Sequence, residues 1–491
     1  MALFYLGKPD KIGLKCLGKP DKNNYFCLGK ADKSSGFTMI QRKITRYLEQ
    51  FFRESTKALL VTGARQTGKT FAIRHYGSTH YAHFVEINFV DNPRAKNIFS
   101  RSHGAQELLL RLSAFASQRL VKGETLIFLD EVQECPDVVT AIKFLVDEGS
   151  YRYVLSGSLL GTIVGDIRSV PVGYMDIKEM YPLDFEEFVR AMGVSDEVMS
   201  ALRTAYDSCS PVDAFVHGKM MELFRLYLVV GGMPAVVDRY LQTNNLQAVL
   251  EEQQGILRLY KKDIAKYDRG NKLYIEEIFD LIPPELNAKN KRFILKNLNE
   301  NLKFSRYENS FLWLKDAGVA LPVYNVTEPV VPLLLSRSRN LFKLFQNDIG
   351  LLACQYAAGI QLRILTGDSA INYGAIYENA VAQELHAHGY NLYYYNNKRL
   401  GELDFVIEHE GSVLPIEVKS GKDYERHRAL SSVVAIPQYD ISKAVVLCND
   451  NVRRDSAVTY LPIYMTMFIA PAPLPSTPYR IDLTGLTQPD H

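Results

Sequence analysis

The sequence has few cysteines, no long hydrophobic run and no excess of charge of one sign. Its 6 cysteines are scattered along 491 residues without a Cys-x-x-Cys pair, which argues against a disulfide framework and indicates a reducing cytoplasm. No stretch reaches about 18 uninterrupted apolar residues, so no membrane span is expected. The N-terminus turns polar by Lys8 and lacks the apolar core of a signal peptide. A net charge of +2 excludes a uniformly basic nucleic-acid coat protein, although a local basic face remains open.

The length and composition are those of a globular protein with about three domains. Residues 1–38 differ, because three short Lys-Gly-rich copies begin at Leu6, Leu17 and Leu28. Such units cannot bury a core, so we predict a disordered leader. It is either a translated upstream repeat with the true start at Met39 or a functional repeat tail. Without its 7 Lys and 3 Asp, the charge of the chain would be 50 − 52 = −2.

A nucleotide site is the strongest prediction. The apolar run 58–62 precedes a GxxxxGK[ST] pattern, and a helix-like segment follows it. Glycines let the backbone N–H groups face phosphate oxygens, Lys69 would reach the β- and γ-phosphates, and Thr70 would ligate Mg²⁺. The predicted ATP-binding residues are Gly63, Ala64, Arg65, Gln66, Thr67, Gly68, Lys69 and Thr70.

A second nucleotide signal comes 60 residues after Thr70. The apolar strand 125–129 ends in two carboxylates, Asp130 and Glu131, as in a Walker B motif. Asp130 would hold the Mg²⁺ shell together with Thr70. Glu131 would activate the attacking water, which favours hydrolysis over binding alone.

A third core strand is expected at 152–156, with a polar end. Ser158 or Ser156 would sense the γ-phosphate there, unless this is an ordinary turn at the end of a strand. Alternating strands and helices from 58 to 190 predict an α/β fold with a parallel sheet.

These segments, with Leu155-Ser-Gly-Ser158, Tyr181-Pro-Leu-Asp-Phe-Glu-Glu-Phe188 and Gly231-Gly-Met-Pro234, resemble a prokaryotic family. It comprises AAA-type P-loop ATPases that carry a conserved C-terminal domain of unknown function, and the resemblance runs from about 40 to 450. It implies ATP binding, and it implies a restriction-endonuclease-like fold near the C-terminus. Arg168 is a candidate arginine finger by its position alone.

The middle of the chain predicts helices and then a basic segment. Apolar residues recur at helical spacing from Ala214 to Tyr267, which indicates a helical lid or plain helical packing. Residues 272–326 predict a winged helix, with helices at Ile275–Leu281, Lys289–Leu298 and Ser305–Ala317 and a hairpin at 318–326. Residues 285–306 carry a local charge of +4 (six basic and two acidic). The module would either read DNA with Arg306, Tyr307 and Asn309 or pack between domains.

The C-terminal part contains a second group of candidate catalytic and metal-binding residues. Asp404, Glu417 and Lys419 follow the PD-(D/E)XK nuclease pattern, and Glu378 lies on a predicted amphipathic helix at 374–385. Glu378, Asp404 and Glu417 would hold Mg²⁺, and Lys419 would act with Glu417 in catalysis. The alternative is a nuclease fold that has lost its catalytic activity and serves as a binding or dimerisation module.

The expected domains are a leader (1–38), an AAA-type ATPase domain (39–205), a helical lid (206–270), a winged-helix-like part (271–335), a nuclease-like part (336–460) and a tail (461–491). The leading hypothesis is a cytoplasmic ATP hydrolase that acts on DNA through a nuclease-like region. The rival is a nucleotide-gated regulator of a protein partner. No membrane contact is expected, and an oligomer stays open.

Overall fold

The computed structural model describes residues 40–100, 104–116, 118–157, 173–267, 272–288, 291–294, 307–368, 370–472 and 481, and every structural statement below refers to them. The leader (1–38) therefore lies outside the described residues. Residues 40 onward belong to one compact unit.

A parallel sheet forms the first half, as predicted from the alternating pattern. Its described strands lie in the order β2-β3-β4-β1-β5, and every neighbouring pair is parallel. Strands β1 and β3 are buried along their whole length, because they are apolar and lie inside the sheet. The strands are β1 (Ala58–Thr62), β2 (His83–Asn88), β3 (Thr125–Asp130), β4 (Arg152–Ser156) and β5 (Met175–Glu179).

Helices cover both faces of this sheet, and two separate apolar clusters pack against it. The helices of this half are α1 (Lys43–Glu54), α2 (Lys69–His80), α3 (Lys96–Phe99), α4 (Ala105–Phe115), α5 (Asp137–Glu148), α6 (Phe185–Ala191) and α7 (Asp196–Asp207).

Long helices follow the parallel sheet, where the apolar spacing predicted them. The described ones are α8 (Ala214–Val230), α9 (Pro234–Thr243), α10 (Leu246–Tyr267), α11 (Lys272–Asn287) and α12 (Glu308–Asp316). Helix α8 ends at Gly231, and Pro234 is the first residue of α9, where its missing N–H costs no hydrogen bond.

A mixed sheet of eight described strands, ordered β12-β13-β11-β10-β9-β8-β6-β7, forms the C-terminal part. Its strands are β6 (Ala320–Val326), β7 (Arg337–Gln346), β8 (Tyr393–Asn397), β9 (Gly401–His409), β10 (Ser412–Val418), β11 (Ala444–Cys448), β12 (Arg453–Asp455) and β13 (Val458–Pro462). Its helices are α13 (Ile349–Cys354), α14 (Ile360–Thr366), α15 (Tyr373–Ala387) and α16 (Arg428–Val434).

The predicted hairpin at 318–326 is wrong. Residues Ala320–Val326 form a single strand that pairs antiparallel with β7 and parallel with β8. The apolar residues of this segment are buried inside the eight-stranded sheet, so it is no exposed wing. The predicted boundary between 335 and 336 separates two paired strands and is wrong as well.

The predicted helix Lys289–Leu298 is irregular where it is described, at 291–294. Phe293 is buried, and its N–H donates to the Phe342 carbonyl at 3.0 Å, so this segment lies along β7. Tyr307, which was expected to face a DNA groove, is fully buried, and its ring centroid lies 5.0 Å from that of Tyr274. Arg306 lies outside the described residues.

The predicted tail begins too early. Ile463, Tyr464, Met465, Met467 and Phe468 are all buried in the core that the middle helices share with the C-terminal sheet. The chain therefore belongs to the folded core up to Ile469.

In the described part of the chain, no single helix has the length and apolar character needed to cross a bilayer. The pair α8 and α9 passes that test together, with a bend of 118° between them.

Candidate functional site

The phosphate-binding loop joins β1 to α2, and two of its glycines are required by the backbone. Gly63 has a φ of +130°, and a Cβ there would lie 2.1 Å from the Met180 carbonyl oxygen. Gly68 caps α2 with a φ of +90°. Side chains other than hydrogen would strain or block both positions.

Lys69 closes the loop. Its Nζ donates to the carbonyls of Gly63 at 2.9 Å and Ala64 at 2.7 Å, and the Thr67 hydroxyl donates to the same Ala64 carbonyl at 2.9 Å. Burial lowers the pKa of Lys69 to about 8. The ammonium group and the N-terminus of α2 therefore lie together, and this donor set fits the oxygens of a triphosphate.

Asp130 lies at the carboxyl edge of the sheet, where several donors meet. The Thr70 hydroxyl donates to its Oδ2 at 3.1 Å, and the Ser156 hydroxyl donates to its Oδ1. Burial raises the pKa of Asp130, and these hydrogen bonds oppose that effect. A hydroxyl beside a carboxylate is the oxygen-rich donor set that suits Mg²⁺. An Mg²⁺ ion held by Thr70 and Asp130 would offset charge on the phosphate oxygens of a bound nucleotide.

Asn88 was missed by the sequence reasoning. Its Nδ2 donates to Asp130 Oδ2 at 3.0 Å, because Asn88 and Asp130 are in register at the ends of β2 and β3. The sequence contained a signal for Asn88. Like the Walker B strand, β2 is an apolar strand that ends in a polar residue, and such a residue is a candidate for the site.

Glu131 follows Asp130 in a left-handed conformation with a φ of +58°. The Gln133 side-chain amide donates to Glu131 Oε2, so Gln133 fixes this carboxylate. Ser156 is the serine that reaches Asp130. The other candidate sensor, Ser158, and the candidate arginine finger, Arg168, both lie outside the described residues.

Segments distant in sequence pack on the loop. The Tyr260 hydroxyl donates to the Arg65 carbonyl at 3.2 Å, and Arg65 Nε lies 3.0 Å from Asp263 Oδ2, so α10 covers this side. From the C-terminal part, Gly318 approaches so closely that its Cβ would lie 3.1 Å from Ala64 N. Gln66 in the same loop has a φ of +67°.

Arg42 ties the loop to helix α6. Its guanidinium donates to the Thr67 carbonyl at 2.9 Å and the Tyr181 carbonyl at 2.6 Å, and Nε lies 3.1 Å from Glu187 Oε2. The first N–H of α6, from Phe185, donates in turn to Glu384 Oε2 of α15 at 2.9 Å. A continuous set of hydrogen bonds thus runs from the phosphate loop to the C-terminal part.

The structure brings the second predicted constellation together. Asp404 Oδ2 accepts the Val418 N–H at 2.9 Å across the β9–β10 pair, and Lys419 Nζ lies 2.6 Å from Glu417 Oε1. Helix α15 presents Glu378 to the same region. This helix is buried on nearly every side and is not amphipathic, because both sheet and helices surround it.

Lys343, on β7, was missed by the sequence reasoning. Its fully buried Nζ lies 2.8 Å from Glu402 Oε1, 3.5 Å from Glu378 Oε2 and 3.9 Å from Asp404 Oδ1. Lys291 also donates to Glu378. A lysine inside the apolar run Leu341-Phe-Lys-Leu-Phe345 was the available signal, because a buried charge needs a partner.

Lysines pair with the carboxylates of Glu378, Asp404 and Glu417 in the second cluster, while Glu417 Oε2 is buried without a hydrogen-bond partner among the described residues. Two of these carboxylates already face the Lys343 ammonium, and the third is paired with Lys419. Burial and then the neighbouring Asp404 raise the pKa of Glu417, and the Lys419 ammonium opposes that effect. The lysines therefore offset most of the negative charge of this cluster.

Family comparisons agree with the first site. Residues 55–189 match the model of an AAA domain. Residues 221–362 and 373–465 match two domains of unknown function, DUF8612 and DUF4143. The chain thus contains an AAA-type P-loop ATPase domain. No curated protein matches the sequence significantly.

Solved structures show a loose likeness. The Walker-type ATPase paby2304 of Pyrococcus abyssi is 13% identical, with a TM-score of 0.39 over 65% of this chain and 96% of that one. Cdc6p of Pyrobaculum aerophilum is 13% identical, with a TM-score of 0.25 over 68% and 96%. The Aeropyrum pernix ORC1 protein, solved in complex with DNA, is 13% identical, with a TM-score of 0.28 over 67% and 93%.

Proposed function

We propose that the AAA-type ATPase domain hydrolyses Mg²⁺-ATP and that its nucleotide state controls the C-terminal part of the chain. One observation carries the hydrolase proposal. Lys69, Thr70 and Asp130 meet at the carboxyl edge of the parallel sheet, and Glu131 directly follows them.

Each residue has a distinct task in this proposal. Lys69 and the N-terminus of α2 bind and orient the phosphates. Thr70 and Asp130 hold Mg²⁺. Glu131 orients the attacking water and accepts its proton, and Gln133 keeps the Glu131 carboxylate in place.

The test is a measurement of nucleotide binding and phosphate release. In Lys69→Ala we expect loss of ATP binding, because the ammonium is removed from the loop. In Glu131→Gln we expect retained binding with hydrolysis slowed by about 10²–10⁴-fold.

Glu134→Gln is the matched control, since Glu134 lies three residues further on and pairs at the surface with Lys96 at 3.2 Å. It should hydrolyse ATP like the wild type. Unchanged binding in Lys69→Ala would refute the site.

Control of the C-terminal part is supported by the hydrogen bonds from Thr67 through Arg42, Glu187 and helix α6 to Glu384. The close approach of Gly318 to Ala64 adds a second contact. A change of the loop on nucleotide binding would therefore reach α15, where a hinge or switch could act.

For the C-terminal cluster, we propose a binding role and no DNA cleavage, because Lys343 faces Glu378 and Asp404, two of the three carboxylates that a nuclease would use for metal. This favours the nucleotide-gated regulator over the ATP-dependent nuclease. A nuclease assay with Mg²⁺ or Mn²⁺, single- and double-stranded DNA, and with or without ATP, distinguishes the two.

We expect no cleavage by the wild type while ATP hydrolysis continues. Cleavage that disappears in Lys419→Ala would establish the nuclease alternative. DNA affinity that falls steeply with salt, measured on the same samples, would favour a DNA partner over a protein partner.

A further inference from the structure

Three potential metal ligands meet where helix α6 faces helix α15. Asp184 caps the N-terminus of α6, Glu384 lies near the end of α15, and His388 directly follows that helix. One ligand atom from each lies within 4.8 Å of the others. Asp184 and Glu384 are buried, and the side chain of His388 is 5% exposed.

The imidazole of His388 has one satisfied nitrogen and one unsatisfied nitrogen. Its Nδ1 lies 2.7 Å from the Ile469 carbonyl oxygen. A carbonyl accepts and cannot donate, so Nδ1 carries the hydrogen and Nε2 of the neutral ring carries a lone pair. Nε2 is buried and has no hydrogen-bond partner among the described residues.

The unpartnered nitrogen points at acceptors. His388 Nε2 lies 3.6 Å from Glu384 Oε1 and 3.9 Å from Asp184 Oδ2. A lone pair that faces two carboxylate oxygens in a buried place is unfavourable unless a proton or a metal cation lies between them. An Nδ1–H bond to a carbonyl that directs Nε2 at a shared centre is also how metal-binding histidines are oriented.

We propose that Asp184, Glu384 and His388 bind one divalent transition-metal ion, such as Zn²⁺, at the junction between the ATPase domain and the C-terminal part. One imidazole nitrogen and two carboxylate oxygens suit Zn²⁺ better than Mg²⁺, which prefers oxygen ligands alone. The ion would pin α6 to α15. This proposal is independent of ATP hydrolysis.

The two carboxylates are already oriented by backbone groups. Asp184 Oδ1 accepts the Glu187 N–H at 2.9 Å, which leaves Oδ2 toward His388. The Phe185 N–H lies 3.2 Å from Glu384 Oε1 and 2.9 Å from Oε2, and each oxygen keeps a lone pair.

Lys43 is the competing cation. Its Nζ lies 2.6 Å from Asp184 Oδ2 and 2.8 Å from Glu186 Oε2. The side chain of Lys43 is 47% exposed, so it can keep Glu186 and release Asp184 to the metal. A cavity of about 180 Å³, lined by Tyr47, Asp184 and Ala387 among others, gives an ion access to Asp184.

The test measures zinc retained by the full chain without nucleotide, after equilibration with Zn²⁺ and removal of free metal. His388→Gln should retain one ion fewer than the wild type. His386→Gln is the matched control, because His386 lies two residues before His388 but packs against the Tyr181 ring, with centroids 4.9 Å apart. It should retain zinc like the wild type.

Glu384→Gln is the second variant, since its amide oxygen can still accept the Phe185 N–H. It should also lose the ion. X-ray absorption on the zinc-loaded wild type gives an answer even if His388→Gln fails to fold. One imidazole with oxygen donors is the expected first shell. Zinc that is absent from the wild type, equally retained in His388→Gln and Glu384→Gln, or bound through sulfur would each overturn the proposal.

Discussion

Two lysines show how surroundings decide the charge of the same side chain. Lys69 lies among backbone carbonyls, and burial lowers its pKa to about 8. Burial acts in the same direction on Lys343, but Glu378, Asp404 and Glu402 raise its pKa well above the ordinary value. Lys69 can therefore bind an anion from solution, whereas Lys343 is already paired with carboxylates of the protein.

The pKa of Lys69 predicts a pH dependence of ATP binding. Below pH 8 the free protein carries the charged lysine, and above pH 8 it must take up a proton to bind phosphate. We expect the affinity for ATP to fall above pH 8, by at most about tenfold per pH unit. Calorimetry in two buffers of different ionisation enthalpy would detect the proton uptake. Lys69→Arg, if it binds, should lack this dependence, because arginine stays charged. A flat profile in the wild type would contradict the assignment.

Lys343→Met tests the internal counter-ion. Methionine has a similar length but removes the buried ammonium that faces Glu378, Glu402 and Asp404, so we expect a loss of about 3–5 kcal/mol in the free energy of unfolding. Urea unfolding measures it. Lys419→Met should cost less, because Lys419 is 28% exposed and water can solvate its partner. Equal losses would argue against a special role for Lys343.

At the scale of single residues, the sequence predicted those site residues that belong to a short local motif. The phosphate loop was predicted from one strand–turn–helix unit and Asp130 from the apolar strand that precedes it, and the Thr70 hydroxyl lies 3.1 Å from Asp130 Oδ2. Asn88 and Lys343 act through partners 42 and 61 residues away (130 − 88 and 404 − 343). No local pattern contains that information.

Among the elements, the end of α8 is the most constrained. Gly231 has φ +75° and ψ −166°, a region that is essentially restricted to glycine. A Cβ there would lie 2.3 Å from Asp348 Oδ1. Asp348 in turn caps α13 and accepts the Gly232 N–H at 2.6 Å. The break between α8 and α9 is thus locked to the C-terminal part.

Gly231→Ala should therefore destabilise the protein by about 1–3 kcal/mol or more, from backbone strain and the clash with Asp348. Gly255→Ala is the opposite control, because Gly255 lies inside α10 with no atom of another residue closer than 4.0 Å to its Cβ position. It should stabilise by about 0.5–1 kcal/mol. Thermal unfolding compares them, and a neutral Gly231→Ala would refute the strain argument.

The type of an element, helix or strand, was predictable where the local sequence alone determines it. Helix α15 was expected at 374–385, and it is observed at Tyr373–Ala387. The hairpin at 318–326 failed because Leu321, Val323 and Val326 fit either a hairpin arm or a buried strand. The partner strand β7 decides between them, and it lies beyond the turn that was predicted.

For the whole molecule, Arg42 is the testable link. Arg42→Lys keeps one positive charge but cannot donate to Thr67, Tyr181 and Glu187 together. We expect ATP binding to change hydrogen exchange in α15 of the wild type and to change it much less in this variant. Arg74→Lys is the control, since Arg74 pairs with Glu86 within the ATPase domain. An equal response in Arg42→Lys would contradict the coupling.

Domain boundaries were the least predictable feature. The chain was divided at 270 and 335 by local composition, yet one core continues from α6 through α8 and α11 to β13. Hydrophobic periodicity shows which face of a helix is buried but not which partner buries it. Strand β6 was therefore expected at the end of one domain and β7 at the start of the next, although the two strands pair in the last sheet.

The burial of Lys343 also has a consequence for protein synthesis. Asp404 leaves the ribosome 404 − 343 = 61 residues after Lys343, which at about 5–20 residues per second is an interval of about 3–12 s. During that time the apolar run 341–345 has no complete sheet to join. A charge inside such a run opposes aggregation of the growing chain. The ammonium that later neutralises the carboxylates thus first protects the unfinished strand.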